Sequence, residues 1–294
     1  MNRSSVAVFG LYLGLASSGW VLPLVAPSAL PAGEIELLTL LLTFAGACLL
    51  PRRLDSLTIE NDPKLPVPWP LLRSGLFLFA VPSLLSRISA SGLPGPTHVA
   101  LFGLVPTVVA LLANRDASGD LDFLGLLAAS LAGLAGALLL LPADPALLLR
   151  EPRAAMVILA SIVTTAIGAY TGHFAIKVLP LKTSLILMLG PSLVLLSFAA
   201  CLSHGSLVVP AWQDLPQLLW GAAEIALLVW LVRAWAPLSF ASKYLLIPIV
   251  TTCEGLLWLR PGITTRMLIG LALLAAGAIK LLSSGKGDSR PSLP

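Results

Sequence analysis

Ten stretches of this chain, each about twenty residues long, run almost free of charge, and that property decides what it can fold into. A backbone placed where there is no water must pair its own N–H and C=O groups, which leaves helices or a closed barrel. The period-two alternation of a barrel strand is absent, so helices remain. At 1.5 Å per residue, about twenty residues cross a hydrocarbon layer of about 30 Å. The runs lie at 5–26, 34–50, 69–90, 96–113, 121–142, 153–178, 183–203, 215–235, 240–259 and 266–283. Composition agrees: 57% hydrophobic residues, 11% charged and a mean hydropathy of +0.95 make lipid the solvent. The expected fold class is an all-α integral membrane protein with ten transmembrane helices.

Proline, glycine and charge punctuate the runs, as in Pro142-Ala143-Asp144-Pro145. The one long connection, 51–68, carries Pro51, Pro63, Pro66 and Pro68 and cannot form a regular helix. The polar tail, 284–294, is expected to be disordered. Arg3 ahead of an apolar run also fits a signal peptide, but the run is long and is diluted by Gly14, Ser17, Ser18, Gly19 and Pro23. It is therefore read as a retained helix.

The end of each half tells the same story. Residues 99–141 hold an apolar helix with Pro106, a polar turn, and a second helix with Gly125, Gly133 and Gly136. Residues 241–283 hold Pro248, the turn Arg260-Pro261-Gly262, and Gly270 and Gly277. A duplicated unit of about 145 residues accounts for this spacing, giving repeats at 1–147 and 148–283. Each unit contains an odd five crossings, so the second enters the membrane upside down. Two inverted repeats around a shared centre imply alternating access. Pro106 and Pro248 each delete a backbone hydrogen bond and are expected to bend their helices.

Basic residues orient the bundle. With the N-terminus cytoplasmic, thirteen Lys and Arg, among them Arg3, Arg52, Arg53, Lys64, Arg115 and Lys182, fall on that side against five opposite. Both termini are therefore expected inside, in an inner or plasma membrane. The net charge of +4 is a topology signal, since no basic stripe with interleaved aromatics marks a nucleic-acid surface.

Trp235-Ala236-Pro237-Leu238-Ser239, Leu246-Ile247-Pro248-Ile249-Val250 and the run from Leu268 to Gly277 resemble the closing helices of the EamA-type drug/metabolite transporter (DMT) superfamily. Val105-Pro106-Thr107 and Leu124-Gly125-Leu126 resemble the same part of its first repeat. The resemblance implies two inverted five-helix repeats, a central cavity, and secondary transport, chiefly export, of amino acids or related small solutes.

Charges near the membrane midplane are costly and face protein or water, so they are the first candidates for a cavity. Glu224 stands near the centre of the eighth run and shares a helical face with Gln217 and Gly221. A carboxylate there suits a proton-linked or substrate-orienting role, or a structural ion pair. Lys243 heads a stripe with Thr251 and Glu254, next to Tyr244, and lies close enough to the cytoplasmic end that snorkelling is the favoured reading. Arg87 suits a carboxylate or a lipid phosphate. Trp20 and Tyr170 are deep aromatics that either line a pocket or pack, whereas Trp69, Trp212, Trp235 and Trp258 read as an interfacial belt.

Catalytic machinery is missing from the pattern. Cys48, Cys201 and Cys253 form no metal or redox pair, His98, His173 and His204 are dispersed, and Gly285-Lys286 lacks the rest of a phosphate loop. No enzyme, metal site or cofactor is expected. A membrane scaffold or assembly subunit stands as the alternative class, with an integral membrane enzyme behind it. The expected partners are a small-molecule solute and the bilayer; coupled protons and a homo-oligomer stay open.

Overall fold

The computed structural model describes residues 3–19, 21, 30–50, 69–89, 95–116, 122–141, 146–177, 179–204, 210–259 and 262–284. Among them there is no strand. The principal helices are α1 (Arg3–Ser18), α2 (Ala32–Leu49), α3 (Trp69–Ser89), α4 (Pro96–Asp116), α5 (Phe123–Leu140), α6 (Pro152–Ile176), α7 (Leu181–His204), α8 (Leu215–Ala234), α9 (Pro237–Leu259) and α10 (Thr265–Ser284). Eight of them, α3 to α10, are long and apolar enough to cross a membrane, which makes this a multi-pass membrane protein.

Within the first expected run, 5–26, α1 ends at Ser18, after 16 residues or about 24 Å, and residues 20 and 22–26 lie outside the described residues. The Ser17 and Ser18 hydroxyls both turn back onto the Gly14 carbonyl, a local bond that competes with helix extension, and Gly19 follows in a turn. The long connection 51–68 and the tail from 285 lie outside the described residues.

Two of the irregular turns lie just ahead of prolines. In α4 a 3-10 turn, Phe102–Leu104, precedes Pro106, and the Phe102 carbonyl accepts from Val105 N–H in place of the donor Pro106 lacks. In α3 a π-turn, Leu76–Ala80, precedes Pro82, with Val81 N–H donating to the Leu76 carbonyl. Pro248 lies inside α9, whose first turn, Pro237–Ala241, is separated from the rest at Ser242.

Glycine permits the closest approaches. A Cβ on Gly75 of α3 would lie 2.1 Å from the Met188 carbonyl oxygen of α7, and one on Gly168 of α6 would lie 2.7 Å from the Leu78 nitrogen. Ser74 meets Thr171 at 2.9 Å and Ser86 meets Ser161 at 3.4 Å, so α3 and α6 run antiparallel. The last helices of the two halves do the same. Lys280 pairs with Asp122 at 2.6 Å, and Arg266 donates to the Leu138 carbonyl at 3.1 Å. α10 therefore lies antiparallel along α5.

Two apolar clusters form the interior. One gathers Phe9, Tyr12, Leu40, Met188, Val232 and Phe240, the other Val105, Leu126, Ile158, Leu245 and Leu274. α6 contributes to both, and half of its apolar window is buried, the largest share of any span. Val194, Phe198 and Ile279 point outward from mid-helix, as side chains facing hydrocarbon do. Trp69, Trp212 and Trp258 are exposed near helix ends, but Trp235 is a correction to the expected belt. It is buried and stacks on Phe9 with ring centroids 4.2 Å apart, because α1 covers the end of α8.

Candidate functional site

The break at Ser242 determines where Lys243 goes. Ser242 bonds back to the Ser239 carbonyl through both its N–H and its hydroxyl, and six residues of α9, about 9 Å of helix, already separate Lys243 from Pro237. Its side chain turns inward and is 4% exposed. The snorkelling reading is thus overturned, because partners inside the bundle replace water at the ammonium.

Those partners are mostly aromatic. Lys243 Nζ donates to the Tyr12 hydroxyl at 3.0 Å. It lies over the rings of Phe240, Tyr244 and Tyr12 at 4.5, 4.8 and 5.1 Å. A ring face attracts a desolvated cation by about 2 kcal/mol or more. Glu224 on α8 lies within electrostatic reach of both Lys243 and Tyr12. It is nonetheless not in contact: among the described residues the ion pairs within 4.0 Å are Arg87–Glu36 and Lys280–Asp122. Glu224 and Tyr244 are only half-buried, whereas Lys243 is buried.

Around this centre α1 ties the other two helices. Trp220 Nε1 donates to the Leu15 carbonyl at 2.9 Å, and Ser17 Oγ donates to Glu254 Oε1 at 2.7 Å. Gln217, on the Glu224 face of α8, buries its Oε1 without a hydrogen-bond partner. Tyr244 stacks on Phe102 of α4 at 6.1 Å, and Phe102 on His98 at 5.5 Å. His98 places its two ring nitrogens 3.2 Å from Ser86 Oγ and 3.3 Å from Ser89 Oγ.

No family model matches the chain, and no curated protein matches it. A solved chain, described only as the crystal structure of a protein, matches it with a TM-score of 0.73 and 17% identity, over 96% of this chain and 99% of its own. The likeness is one of fold alone.

Of the expected site residues, Glu224, Lys243 and Tyr244 come together. Gln217 lies on the same face of α8 as Glu224, further along. Arg87 does not join them: it pairs with Glu36 at 2.9 Å and donates to the Gly33 carbonyl at 3.1 Å, holding α3 to the start of α2. Tyr170 donates to Asp116 Oδ2 at 2.7 Å and fastens α6 to the end of α4. Trp20 lies outside the described residues. Pro106 and Pro248 sit beside the site, through Phe102 and Tyr244 respectively.

Tyr12 and Phe240 were missed. Tyr12 carried a usable signal, a phenol in the middle of an apolar run in a chain with three tyrosines. Phe240 carried none, since one more apolar ring in a membrane helix is unremarkable in sequence.

Proposed function

We propose that the chain is a secondary carrier that moves a small organic solute, an amino acid or a related metabolite, across an inner or plasma membrane by alternating access. The reading rests most on Lys243, a wholly buried ammonium held by rings and one hydroxyl, with a carboxylate nearby but beyond ion-pair distance. A buried charge left short of its counter-charge is expensive, and such residues in membrane helices mark substrate or ion paths. A solute head group entering between Lys243 and Glu224 would satisfy both.

In this proposal the chain crosses ten times, as two inverted five-helix repeats of the EamA type, with both termini cytoplasmic. The antiparallel lie of α10 on α5 supports inversion, because equivalent helices of inverted repeats point opposite ways. The stacked Tyr244, Phe102 and His98 supply a contact between α4 and α9 across which one repeat can rock on the other. Glu224 acts as the proton-linked or solute-orienting carboxylate.

Reconstituted protein tested for counterflow with a radiolabelled panel of amino acids and related metabolites checks this. At least one panel member should exchange faster than in empty vesicles. Glu224→Gln should lower that exchange and flatten its pH dependence. A variant that transports like wild type over the full pH range removes Glu224 from the mechanism, and a panel with no moving member removes this solute class.

A further inference from the structure

The polar groups beside Lys243 do not stop at Glu224. Along α9, Lys243 and Glu254 lie three turns apart on one face, separated by about 16 Å. α1 accompanies them at both levels: Tyr12 accepts from Lys243 at 3.0 Å, and Ser17 donates to Glu254 at 2.7 Å. Thr251 Oγ1 adds a contact to the Ser17 carbonyl at 3.5 Å.

α8 runs the opposite way along the same seam. Glu224 is at the level of Tyr12 and Lys243, while Trp220 bonds to Leu15, which lies between Tyr12 and Ser17. One turn further, Gln217 on the Glu224 face reaches the level of Ser17 and Glu254, and there its Oε1 is buried without a partner. Three helices thus bring two polar tiers to one seam.

We infer that Glu254, with Ser17 and Gln217, is a proton-accepting station at the far end of a polar corridor, through which Glu224 exchanges its proton with that face of the membrane. This rests on the carrier reading only in treating Glu224 as the proton-linked carboxylate. The proton leaves a carboxyl oxygen of Glu254, passes along the Ser17 hydroxyl and water, and is taken up by the Glu224 carboxylate. Glu254 returns to carboxylate, and Ser17 and each water accept one proton and release another, so they end unchanged. Gln217 offers its amide oxygen to hold a water in that path.

Among the described residues, the titratable groups at the seam are Tyr12 of α1, Glu224 of α8, and Lys243, Tyr244 and Glu254 of α9. Of the other helices packed on α8, α2 carries Glu34, buried near its start, and Glu36, paired with Arg87, and α6 sets His173 on the Val232 carbonyl. His98 of α4 reaches it only through Phe102. From the remaining neighbours of α9, Arg266 of α10 is turned to the Leu138 and Leu141 carbonyls, and Asp122 beside α5 is paired with Lys280 at the opposite end.

The test follows infrared carboxyl bands of the full chain in nanodiscs after a pH jump, with the Glu224 band identified by its loss in Glu224→Gln. In Glu254→Gln the Glu224 band should respond at least about tenfold more slowly, while Glu254→Asp keeps the wild-type rate. Ser17→Ala, a smaller change, should slow it less and serves as the second variant if Glu254→Gln does not fold. An unchanged rate in Ser17→Ala and in any folded Glu254→Gln overturns the corridor, as does a Glu224→Gln spectrum that loses no band. Slowed exchange in a protein that moves no solute would keep the corridor and overturn the carrier. Solute transport with unchanged exchange in both variants would do the reverse.

Discussion

Gly136 and Gly270 meet backbone to backbone: a Cβ on Gly136 would lie 2.7 Å from the Gly270 carbonyl oxygen, and one on Gly270 would lie 2.9 Å from that of Gly136. The contact is reciprocal, as two similar helices crossing antiparallel would make it. In lipid, where apolar side chains gain little by leaving the solvent, such close backbone packing is a main source of helix association.

Gly136→Leu and Gly270→Leu should therefore each destabilise the protein by about 1–3 kcal/mol through overpacking against a rigid backbone. Thermal unfolding in detergent measures it. Gly10→Leu, where a Cβ meets nothing within 4 Å, is the control and should melt like wild type.

Removing the buried ammonium should cost transport more than fold. Lys243→Met is expected to lower solute counterflow at least about tenfold while keeping helix content. Tyr12→Phe deletes one hydrogen bond to a charged group, worth about 1.5–3 kcal/mol. If the two residues act together, Tyr12→Phe should have far less effect in the Lys243→Met background than in wild type. Equal effects in both would separate them.

Acid should loosen the α5–α10 clasp. The Lys280 hydrogen bond, helped by the Gly125 N–H and the Lys280 charge, holds the Asp122 carboxyl below the usual carboxylate range. A carboxyl depressed in the folded state contributes stability that is present above its unfolded pKa and is lost as pH falls through the folded one. Melting temperature should then drop on acidification in wild type, and less so in Asp122→Asn. Because the pair is exposed, high salt should shrink the difference between them.

Tryptophan depth gives an independent check. In single-tryptophan variants, headgroup-level quenchers should reach Trp69, Trp212 and Trp258 and should spare Trp235 in its stack on Phe9. Quenching of Trp235 like the others would contradict that burial.

Helix positions were legible because a chain without water has one local way to satisfy its backbone. The interruption before Pro106 was legible too, since a missing N–H acts on its own turn, but the break at Ser242 was not, because it lies six residues ahead of Pro248, which sits within continuous helix. The end of α1 at Ser18 was harder to see, because it turns on local bonds from Ser17 and Ser18 to the Gly14 carbonyl. At the site, Glu224 and Tyr244 could be nominated from depth and spacing. The fate of Lys243 could not, because a flexible stem near a helix end reaches either water or a partner, and that partner, Tyr12, is 231 residues away in the chain.

The sequence by itself determined that this protein is a bundle of apolar helices, that Pro106 would disturb one of them, and which charges would be costly. Only the tertiary structure decided how those charges are settled. It drew Arg87 to Glu36, turned Lys243 into a ring of aromatics, and set Ser17 against Glu254. The division has a physical cause. Solvent and backbone hydrogen bonding act within a few residues, so their effect can be read locally. The choice of partner for a buried polar group depends on which helices pack together, and that depends on the whole chain.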